Sequence, residues 1–420
     1  MDAAEPANPF DTRVHEIDEL LNDLPSQPEE SSPRLRMVTN PAEVEAVLHS
    51  PAIERIDLMR HVAGSGLLFS DGPLWKSRRR IMQPAFPGRY PEHSREDVEW
   101  SIAGMSERLD HFERTQQPFG LLSELLRFTT RAIYRVGFGI DLPSDHDLVP
   151  TLTRFFDAAG TTILTVIDPR GMVNAEAMRK MASARAEIDR EIDRIIDVRT
   201  GTTRGEDVLS HLLQAAEDHG NPDEVGLRDE LRTILLGGTE TTSNVLTWLL
   251  LLLDAHPDVR DRIEQELDAD PHTCPPLLQA ALHETMRLFP PVWFIARRAT
   301  NDAEARDLSF KEGEWVIIST YLVQRNPEIW EDPHRFDPSR FMPGVDRPHR
   351  YAWLPFGGGR HLCLGRNLGD LETTMAAMAI MRRYRVTRSS PRQPHPRVGL
   401  VLKPDEDVQV RIQSRKHENR

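Results

Sequence analysis

Apolar positions recur at three- and four-residue spacing over most of the chain, which predicts a mainly helical protein. From about Glu96 to Val198 this pattern predicts several helices, with breaks near Pro118, Gly137–Pro143 and Asp168–Gly171. A longer helix is predicted from Glu230 to Asp254 and contains the most apolar run of the chain. We therefore expect this helix to lie at the centre of the fold.

Shorter helices and a few strands complete the predicted pattern. Asn40 and Pro41 are an N-cap and a first-turn proline, so a helix is predicted from there to about Leu48. The other predicted helices are Trp75–Met82, Pro257–Leu267, Pro276–Phe289 and the segment after Cys363. Strands are predicted at Leu35–Val38, at Trp315–Thr320 and, as part of a final hairpin, at Val398–Leu402. The region Ile53–Phe69 is predicted to be a loop.

Composition favours one globular domain that spans residues 1–420, because no low-complexity linker divides the chain. Its 39% hydrophobic and 28% charged residues suit a protein with a large core. Residues 1–30 and 413–420 are expected to be peripheral or poorly ordered, and the protein is expected to be a monomer. The formal net charge of −14 gives no support to nucleic-acid binding.

The two cysteines, Cys274 and Cys363, are too few for an all-cysteine metal site or a disulfide framework. A reducing, cytoplasmic setting is therefore expected. The acidic N-terminus lacks the features of a signal peptide, and the apolar run Val245–Leu253 is too short to span a bilayer. We expect no membrane anchor.

The ten residues from Phe356 to Gly365 place a cysteine in a glycine-rich loop. Three consecutive glycines disfavour regular structure and favour a tight turn or a close backbone approach. Cys363 precedes a segment of helical periodicity, so its sulfur is expected at a helix N-terminus, where the dipole would lower its pKa. Such a thiolate acts as a nucleophile or a metal ligand. The alternative is a buried, inert thiol, the usual state of a lone cysteine.

Five residues of this loop resemble, at fixed spacing, the cysteine-loop signature of the cytochrome P450 family: Phe356, Gly359, His361, Cys363 and Gly365. The resemblance extends from about residue 30 to residue 410. It implies a mainly α fold with small β-sheets, in which haem b lies between the central helix and the helix of the cysteine loop. It also implies that Cys363 is the axial thiolate ligand of the haem iron.

Trp75 and Arg79 share one helical face because they are four residues apart. Their indole N–H and guanidinium need acceptors, and the match to the family's tryptophan-x-x-x-arginine pattern implies that the haem propionates supply them. Arg297 and His361 resemble two further propionate ligands, and Arg298 is expected on the opposite face of its strand. The alternative for this charge run is a solvated basic helix, which we expect to describe Lys76, Arg78 and Arg80.

The central helix contains Gly237-Gly238-Thr239-Glu240-Thr241, which is costly because each glycine loses roughly 1 kcal/mol against alanine. Gly237 and Gly238 would let a flat cofactor or dioxygen approach the backbone. Thr241 exchanges hydrogen bonds with water, and Glu240 is a carboxylate able to move protons. The stretch matches the family's central-helix pattern throughout, which implies a catalytic proton relay. The alternative is a kinked helix with a solvated acid.

Glu284 and Arg287 lie one helical turn apart, a spacing that most often marks a surface pair. Here they match the family's glutamate-x-x-arginine motif, which implies a buried ion-pair cluster with Arg340 and a structural role. Phe155, Phe156 and Ile163 precede the break near residue 168, together with Leu164, Val166 and Ile167. Either core packing or lining of a substrate pocket fits these apolar residues.

The resemblance implies a monooxygenase that uses O₂ and two electrons to oxidise a C–H bond or double bond of a lipophilic small molecule, with a role in secondary metabolism among its possible settings. The positive charges at residues 76–80 suggest docking of an acidic electron-transfer protein, such as a ferredoxin served by its reductase. Two other functions stay open: a haem-thiolate sensor without turnover, and a peroxide-dependent peroxygenase. The intact Glu240-Thr241 pair disfavours both, because neither needs a proton relay.

Overall fold

The structure is a computed structural model, and it describes residues 12–14, 17, 34–56, 64–88, 92–143, 146–167, 174–202, 205–219 and 226–415. Helices dominate this part of the chain. In chain order they are α1 Pro41–His49, α2 Gly72–Met82, α3 Glu92–Thr115, α4 Leu121–Phe138, α5 Val149–Ile167, α6 Ala175–Arg199, α7 Val208–His219, α8 Leu227–Ala255, α9 Pro257–Ala269, α10 Pro276–Leu288, α11 Thr320–Val323 and α12 Arg366–Arg383.

Short strands form small sheets beside the helices. In chain order they are β1 Leu35–Val38, β2 Ile53–Arg55, β3 Phe119–Gly120, β4 Ile295–Ala299, β5 Ala303–Ala305, β6 Leu308–Phe310, β7 Trp315–Ile318, β8 Tyr384–Arg388, β9 Pro396–Arg397, β10 Lys403–Pro404 and β11 Gln409–Ser414. One sheet has the order β1-β7-β4-β2, a second has the order β3-β11-β8, and β5-β6 and β9-β10 are two-stranded. Only β1 and β7 pair in parallel among the described strands.

The central helix α8 belongs to two separate hydrophobic cores. Its N-terminal part packs with α4, α5, α6 and α7 through residues such as Leu231 and Leu235. Its C-terminal part packs with α9, α10 and α12 through residues such as Trp248 and Leu249. Residues 237–244 between these parts contribute no side chain to either core. The polar, glycine-containing middle of α8 therefore lies where the two cores separate.

Local chemistry explains several helix boundaries. The Asn40 side chain accepts hydrogen bonds from the backbone N–H groups of Ala42 and Glu43 and so caps α1 as predicted. Helix α4 ends at Gly139, whose φ of 64° is a left-handed conformation that favours glycine. Prolines begin α9 and α10, where a missing N–H costs nothing.

The predicted helices and the strand at residues 35–38 are confirmed, with ends that differ by a few residues. The predicted loop from Ile53 was wrong at its start, because Ile53–Arg55 form β2. The run 398–402 connects the strands of the last hairpin, β9 and β10. The predicted break at residues 168–171 lies outside the described residues.

The described residues near both chain ends are better anchored than expected. Val14 and Ile17 are buried in the core around the C-terminal half of α8. Ser414 is the last residue of β11, and Arg415 lies 2.6 Å from Asp268. The expectation that residues 1–30 and 413–420 are peripheral therefore fails at these positions. Among the described residues, no helix has both the length and the apolar character that a membrane span requires.

Candidate functional site

The cysteine loop is a turn that only glycine fits well. Gly357 and Gly359 have φ angles of 69° and 63°, in the left-handed region. A Cβ atom on Gly359 would also lie 2.4 Å from the carbonyl oxygen of Leu48 at the end of α1. The loop is closed by a hydrogen bond of 3.0 Å from the Cys363 N–H to the Phe356 carbonyl. Cys363 thus lies three residues before α12, at the predicted helix start.

The Cys363 thiol is surrounded by protein and yet accessible. The residue is exposed, while burial among neighbouring atoms is the largest influence on its thiol and raises its pKa. The Gly365 N–H and the Arg79 guanidinium lower the pKa, but by less. The expected lowering at a helix N-terminus was therefore wrong for the protein alone. A bound metal ion would keep such a thiol ionised.

The residues predicted to bind propionates come together beside this loop. The rings of Trp75 and His361 meet edge to face, with centroids 4.5 Å apart. Arg79 donates a hydrogen bond of 3.0 Å to the Leu362 carbonyl, next to Cys363. Arg297 is buried on β4, while Arg298 is exposed, as the alternation of a strand predicts.

Arg55 joins them and was missed in the sequence analysis. It lies on β2 directly opposite Arg297 in the antiparallel ladder. Burial is the main reason that the pKa values fall to about 10 for Arg55 and about 9 for Arg297; the nearby Arg55 guanidinium lowers the pKa of Arg297 further, and Arg79 and Arg360 lower that of Arg55. Like charges on facing strand positions are destabilising unless an anion offsets them. A positive residue at the end of a short strand was the available signal, but its partner is far away in sequence.

We call Arg55, Arg79, Arg297 and Arg360, together with Asp71, the open arginine cluster. Asp71 is its one carboxylate; it accepts hydrogen bonds from the N–H groups of Arg55 and Gly72 and lies 3.3 Å from His361 Nε2. Arg297 donates only to the adjacent Ala296 carbonyl among the described residues. Four buried or half-buried guanidinium groups thus outnumber their anions. Two propionate carboxylates would restore the balance, so these residues fit haem.

In the middle of α8, Gly237 and Thr241 lie one turn apart and form a stripe in which a glycine leaves open space and a threonine adds a polar side chain. Gly237 is exposed, and a Cβ atom placed on it would have no neighbouring heavy atom within 4 Å. Thr241, one turn later, is half-buried and donates a hydrogen bond of 2.8 Å to the Gly237 carbonyl. A Cβ atom on Gly238 would instead lie 2.4 Å from Ile133 Cδ1 on α4. Gly237 therefore faces open space, whereas Gly238 permits close packing of two helices.

Glu240 points away from this stripe into a buried ion cluster. Its Oε1 atom lies 2.8 Å from the Nζ atom of Lys403 on β10, and the same Nζ lies 2.9 Å from Asp157 on α5. Burial raises the pKa of Glu240 to about 7 despite the nearby lysine. Glu240 can therefore gain or lose a proton near neutral pH. The sequence offered no sign of Lys403, because residues 240 and 403 meet only in the fold.

Glu284 and Arg287 form a fully buried pair, with Arg287 Nε 2.7 Å from Glu284 Oε2. Arg340 lies close by, with its Nε atom 3.5 Å from Glu284 Oε1. Arg287 also donates to three backbone carbonyls, those of Gln324, Pro333 and Arg335. We call Glu284, Arg287 and these carbonyls the closed arginine cluster. It joins α10 to the chain segments before the cysteine loop.

Two expectations about side-chain environment need correction. Arg78 was expected in solvent but is buried and lies 2.8 Å from Glu230 at the start of α8, because α2 packs against α8 on that face. Lys76 and Arg80 are exposed as expected. Phe155, Phe156 and Ile163 are core residues of α5, which supports core packing over pocket lining. The side chains of Leu164, Val166 and Ile167 lie outside the described part.

No group of three or more His, Cys, Asp or Glu side chains in the described ranges is arranged to hold a metal ion. The residues that do converge are one accessible thiol, a surplus of cations, and an open stripe on the central helix. Together with the fold, this set defines a haem-thiolate protein.

The profile described as "Cytochrome P450" matches residues 36–411. The chain therefore belongs to the cytochrome P450 family, its cofactor is haem b, and it is a monooxygenase. Cyclooctatin synthase of Streptomyces melanosporofaciens is 30% identical over 367 residues, which cover 82% of this chain and 78% of that protein. Pentalenene oxygenase of Streptomyces avermitilis is 28% identical over 352 residues, 79% of this chain and 76% of that protein.

Solved structures show the same fold. The retinoic-acid-bound cyanobacterial CYP120A1 superposes with a TM-score of 0.78 at 24% identity, covering 91% of this chain and 89% of that chain. The heme domain of cytochrome P450DA gives a TM-score of 0.77 at 23% identity, covering 91% and 88%. At this level of identity the likeness extends to the fold alone.

Proposed function

We propose that this monooxygenase hydroxylates or epoxidises a lipophilic small molecule of secondary metabolism, with electrons from a ferredoxin-type partner. The names of two relatives, cyclooctatin synthase and pentalenene oxygenase, support the metabolic setting. The observation that carries the proposal is the open Gly237–Thr241 stripe together with a titratable Glu240, which precedes Thr241 on the same helix and contacts Lys403. A haem protein that only binds its ligand has no use for a proton donor there.

The proposal assigns a separate task to each part of the site. Bound haem supplies the activation of dioxygen. Cys363 Sγ would bind the iron, and Phe356 and Gly365 would keep the loop in place. The cations of the open arginine cluster, with Trp75 and His361, would hold the propionates. Gly237 would leave room for the cofactor or dioxygen, whereas Gly238 serves the packing of α8 on α4.

Thr241 and Glu240 are proposed to deliver protons. Thr241 Oγ1 would hold a water molecule at the cleft, and the Glu240 carboxyl would take protons from the solvent side and pass them to that water. Thr241→Ala should leave haem binding intact while product per electron falls by about tenfold or more and hydrogen peroxide is released. The ratio of product and peroxide to NADPH consumed measures this. Unchanged coupling would contradict the relay.

Lys76 and Arg80 are proposed to dock an acidic electron donor, because both are exposed on α2 while Trp75 and Arg79 of the same helix face the site. The double substitution to glutamate should slow the second-order rate of reduction about tenfold at low salt and weaken its salt dependence. Stopped-flow reduction with a ferredoxin measures both quantities. Arg298→Glu, at an exposed arginine on β4, is the matched control.

Two experiments test the function as a whole. A reduced, carbon-monoxide-bound absorption spectrum of the thiolate type checks the assignment of Cys363. Lipophilic compounds are then screened for a substrate-induced spin-state shift, and those that bind are incubated with ¹⁸O₂, ferredoxin, reductase and NADPH. One ¹⁸O atom in the product supports the proposal. Binding without electron consumption would indicate a sensor, and turnover with peroxide alone would indicate a peroxygenase.

A further inference from the structure

The hairpin of β9 and β10 carries two cations that contact neighbouring helices. Lys403 on β10 and Arg397 on β9 are direct partners in the antiparallel ladder, so their side chains lie on one face. Both contact the same carboxylate, because Asp157 Oδ1 lies 2.5 Å from Arg397 Nη2 and 2.9 Å from Lys403 Nζ. Asp157 belongs to α5. The hairpin and α5 are therefore joined by a charged contact.

Lys403 extends this contact to the catalytic helix. Its Nζ atom also lies 2.8 Å from Glu240 Oε1, and both side chains are almost fully buried, at 7% and 3% exposure. The other oxygen, Glu240 Oε2, is buried and has no hydrogen-bond partner in the described part of the protein. Asp157 and Arg397 are each 42% exposed. The cluster thus runs from a buried acid to partly solvated charges.

The hairpin is held firmly in this position. A Cβ atom on Gly160 of α5 would lie 2.8 Å from the Cα atom of Gly399, so helix and turn are in direct backbone contact. Trp293 Nε1 donates a hydrogen bond of 2.9 Å to the Gly399 carbonyl, and the Leu402 N–H donates one of 2.9 Å to the Pro291 carbonyl. Lys403 is therefore placed by backbone contacts on both sides of the turn.

We propose that Lys403 is a positioning residue for proton transfer: it holds the Glu240 carboxyl group toward the hairpin and keeps it able to ionise, while Asp157 competes for the same lysine. This inference rests on the relay function proposed for Glu240. Lys403 itself passes no proton, since both carboxylates favour its charged form. The chemistry is the loss of one proton from Glu240 to water on the cleft side and its return from the solvated end of the cluster.

The charges around Glu240 determine the direction of each effect. The groups that bear on it are Lys403 and Arg397 from the hairpin, which lower its pKa, and Asp157 from α5, which raises it together with burial. On the side facing α4, the neutral hydroxyl of Thr129 donates a hydrogen bond to the Thr239 carbonyl. Removing Lys403 should therefore raise the Glu240 pKa further, and removing the Asp157 charge should lower it.

The test is an infrared pH titration of the ferric holoenzyme. The carboxyl band that disappears in Glu240→Gln belongs to Glu240, and its titration midpoint is compared in Lys403→Gln, Lys403→Arg and Asp157→Asn. We expect Lys403→Gln to raise the midpoint by about one pH unit or more, Lys403→Arg to restore it, and Asp157→Asn to lower it. Arg392→Gln removes a cation from the same hairpin region that contacts Asp405 and Glu406 instead, and should change nothing at Glu240.

A functional readout separates this inference from the relay itself. The fraction of NADPH electrons released as hydrogen peroxide is measured with a surrogate ferredoxin system at about pH 6 to 9. We expect Lys403→Gln to raise this fraction about fivefold at neutral pH in the wild-type background and to add nothing to Glu240→Gln.

Four results would count against the inference. An unchanged midpoint in Lys403→Gln overturns it, as does an effect of Lys403→Gln that persists beside Glu240→Gln. If Lys403→Gln does not bind haem, an Asp157→Asn midpoint that fails to fall overturns it, since that site is partly exposed. If Glu240→Gln leaves peroxide release unchanged, the proposed relay is wrong. If Glu240→Gln raises peroxide release but Lys403→Gln leaves it unchanged, only the role of Lys403 is wrong.

Discussion

The closed arginine cluster is fully buried at Arg287 and Glu284, whereas the open cluster combines the buried Arg297 with half-buried arginines. The two clusters also differ in how their hydrogen bonds are satisfied. In the closed cluster, Arg287 is 0% exposed and its three nitrogen atoms all donate, to Glu284 and to backbone carbonyls. In the open cluster, Arg297 is 7% exposed and donates only to the neighbouring Ala296 carbonyl among the described residues. The protein supplies every partner in one case and too few in the other.

The difference shows which cluster serves the fold and which serves a ligand. A buried cation with complete partners stabilises the chain that encloses it, and removing a partner strands a charge. A buried cation facing another cation, as Arg297 faces Arg55, is a cost that Asp71 offsets in part and that a bound anion would offset further. Changes in the closed cluster should therefore lower the stability of the apoprotein itself, whereas changes at Arg297 in the open cluster should weaken haem retention without lowering that stability.

The largest effect is expected for Glu284→Ala in the closed cluster. Arg287 would keep its buried charge without its carboxylate, so the free energy of unfolding should fall by about 3 to 5 kcal/mol. Denaturant titration of the apoprotein measures this, and haem incorporation during expression should fall with it. Asp302→Ala breaks an exposed pair with Lys311 and is the control. A loss no larger than in that control would contradict the structural role.

The next effect is expected for Arg297→Gln in the open cluster. The apoprotein should keep its stability or gain some, because one of two facing cations is removed. Haem should nevertheless leave faster, by about 10- to 100-fold, because a charge-assisted hydrogen bond to a propionate is lost. Transfer of haem to excess apomyoglobin measures the rate. Arg298→Gln, the exposed neighbour, should change neither quantity. A less stable apoprotein with normal haem retention would place Arg297 with the closed cluster.

The smallest effect is expected for Arg55→Gln, which tests whether this residue belongs to both types of cluster. Arg55 donates to the carbonyls of Leu67 and Leu68 as well as facing Arg297, so it also stabilises the turn before α2. We expect a loss of about 0.5 to 1.5 kcal/mol in apoprotein stability together with faster haem loss. The same two assays measure both. Loss of stability with unchanged haem retention would limit Arg55 to the turn.

The sequence predicts well where a function depends on neighbouring positions. The spacing of Phe356, Gly359, Cys363 and Gly365 is local, and the left-handed φ angles of Gly357 and Gly359 explain why glycines stand in that loop. Helical periodicity likewise placed Trp75 beside Arg79 and Glu284 beside Arg287, because residues three and four apart share a face. The fold and most of the site follow from such short-range patterns.

Contacts between distant segments could not be predicted in this way. Arg78 is as polar as Lys76, and only the packing of α2 against α8 makes it a buried partner of Glu230. The pairing of Arg55 with Arg297 depends on strand register, and that of Glu240 with Lys403 on a hairpin that reaches the central helix. In each case the missing information was the distance between segments rather than the character of the residues.

The parallel pairing of β1 with β7 has a consequence for synthesis of the protein. Leu35 pairs with Trp315, so the first strand emerges about 280 residues before its partner. At roughly 5 to 20 residues per second, β1 waits on the order of 14 to 56 s on the ribosome. β4, which carries Arg297, and β7, which is its neighbour in the sheet, both appear late, as does Cys363. The nascent chain must therefore keep its early strand soluble, and haem can be captured only when synthesis is nearly complete.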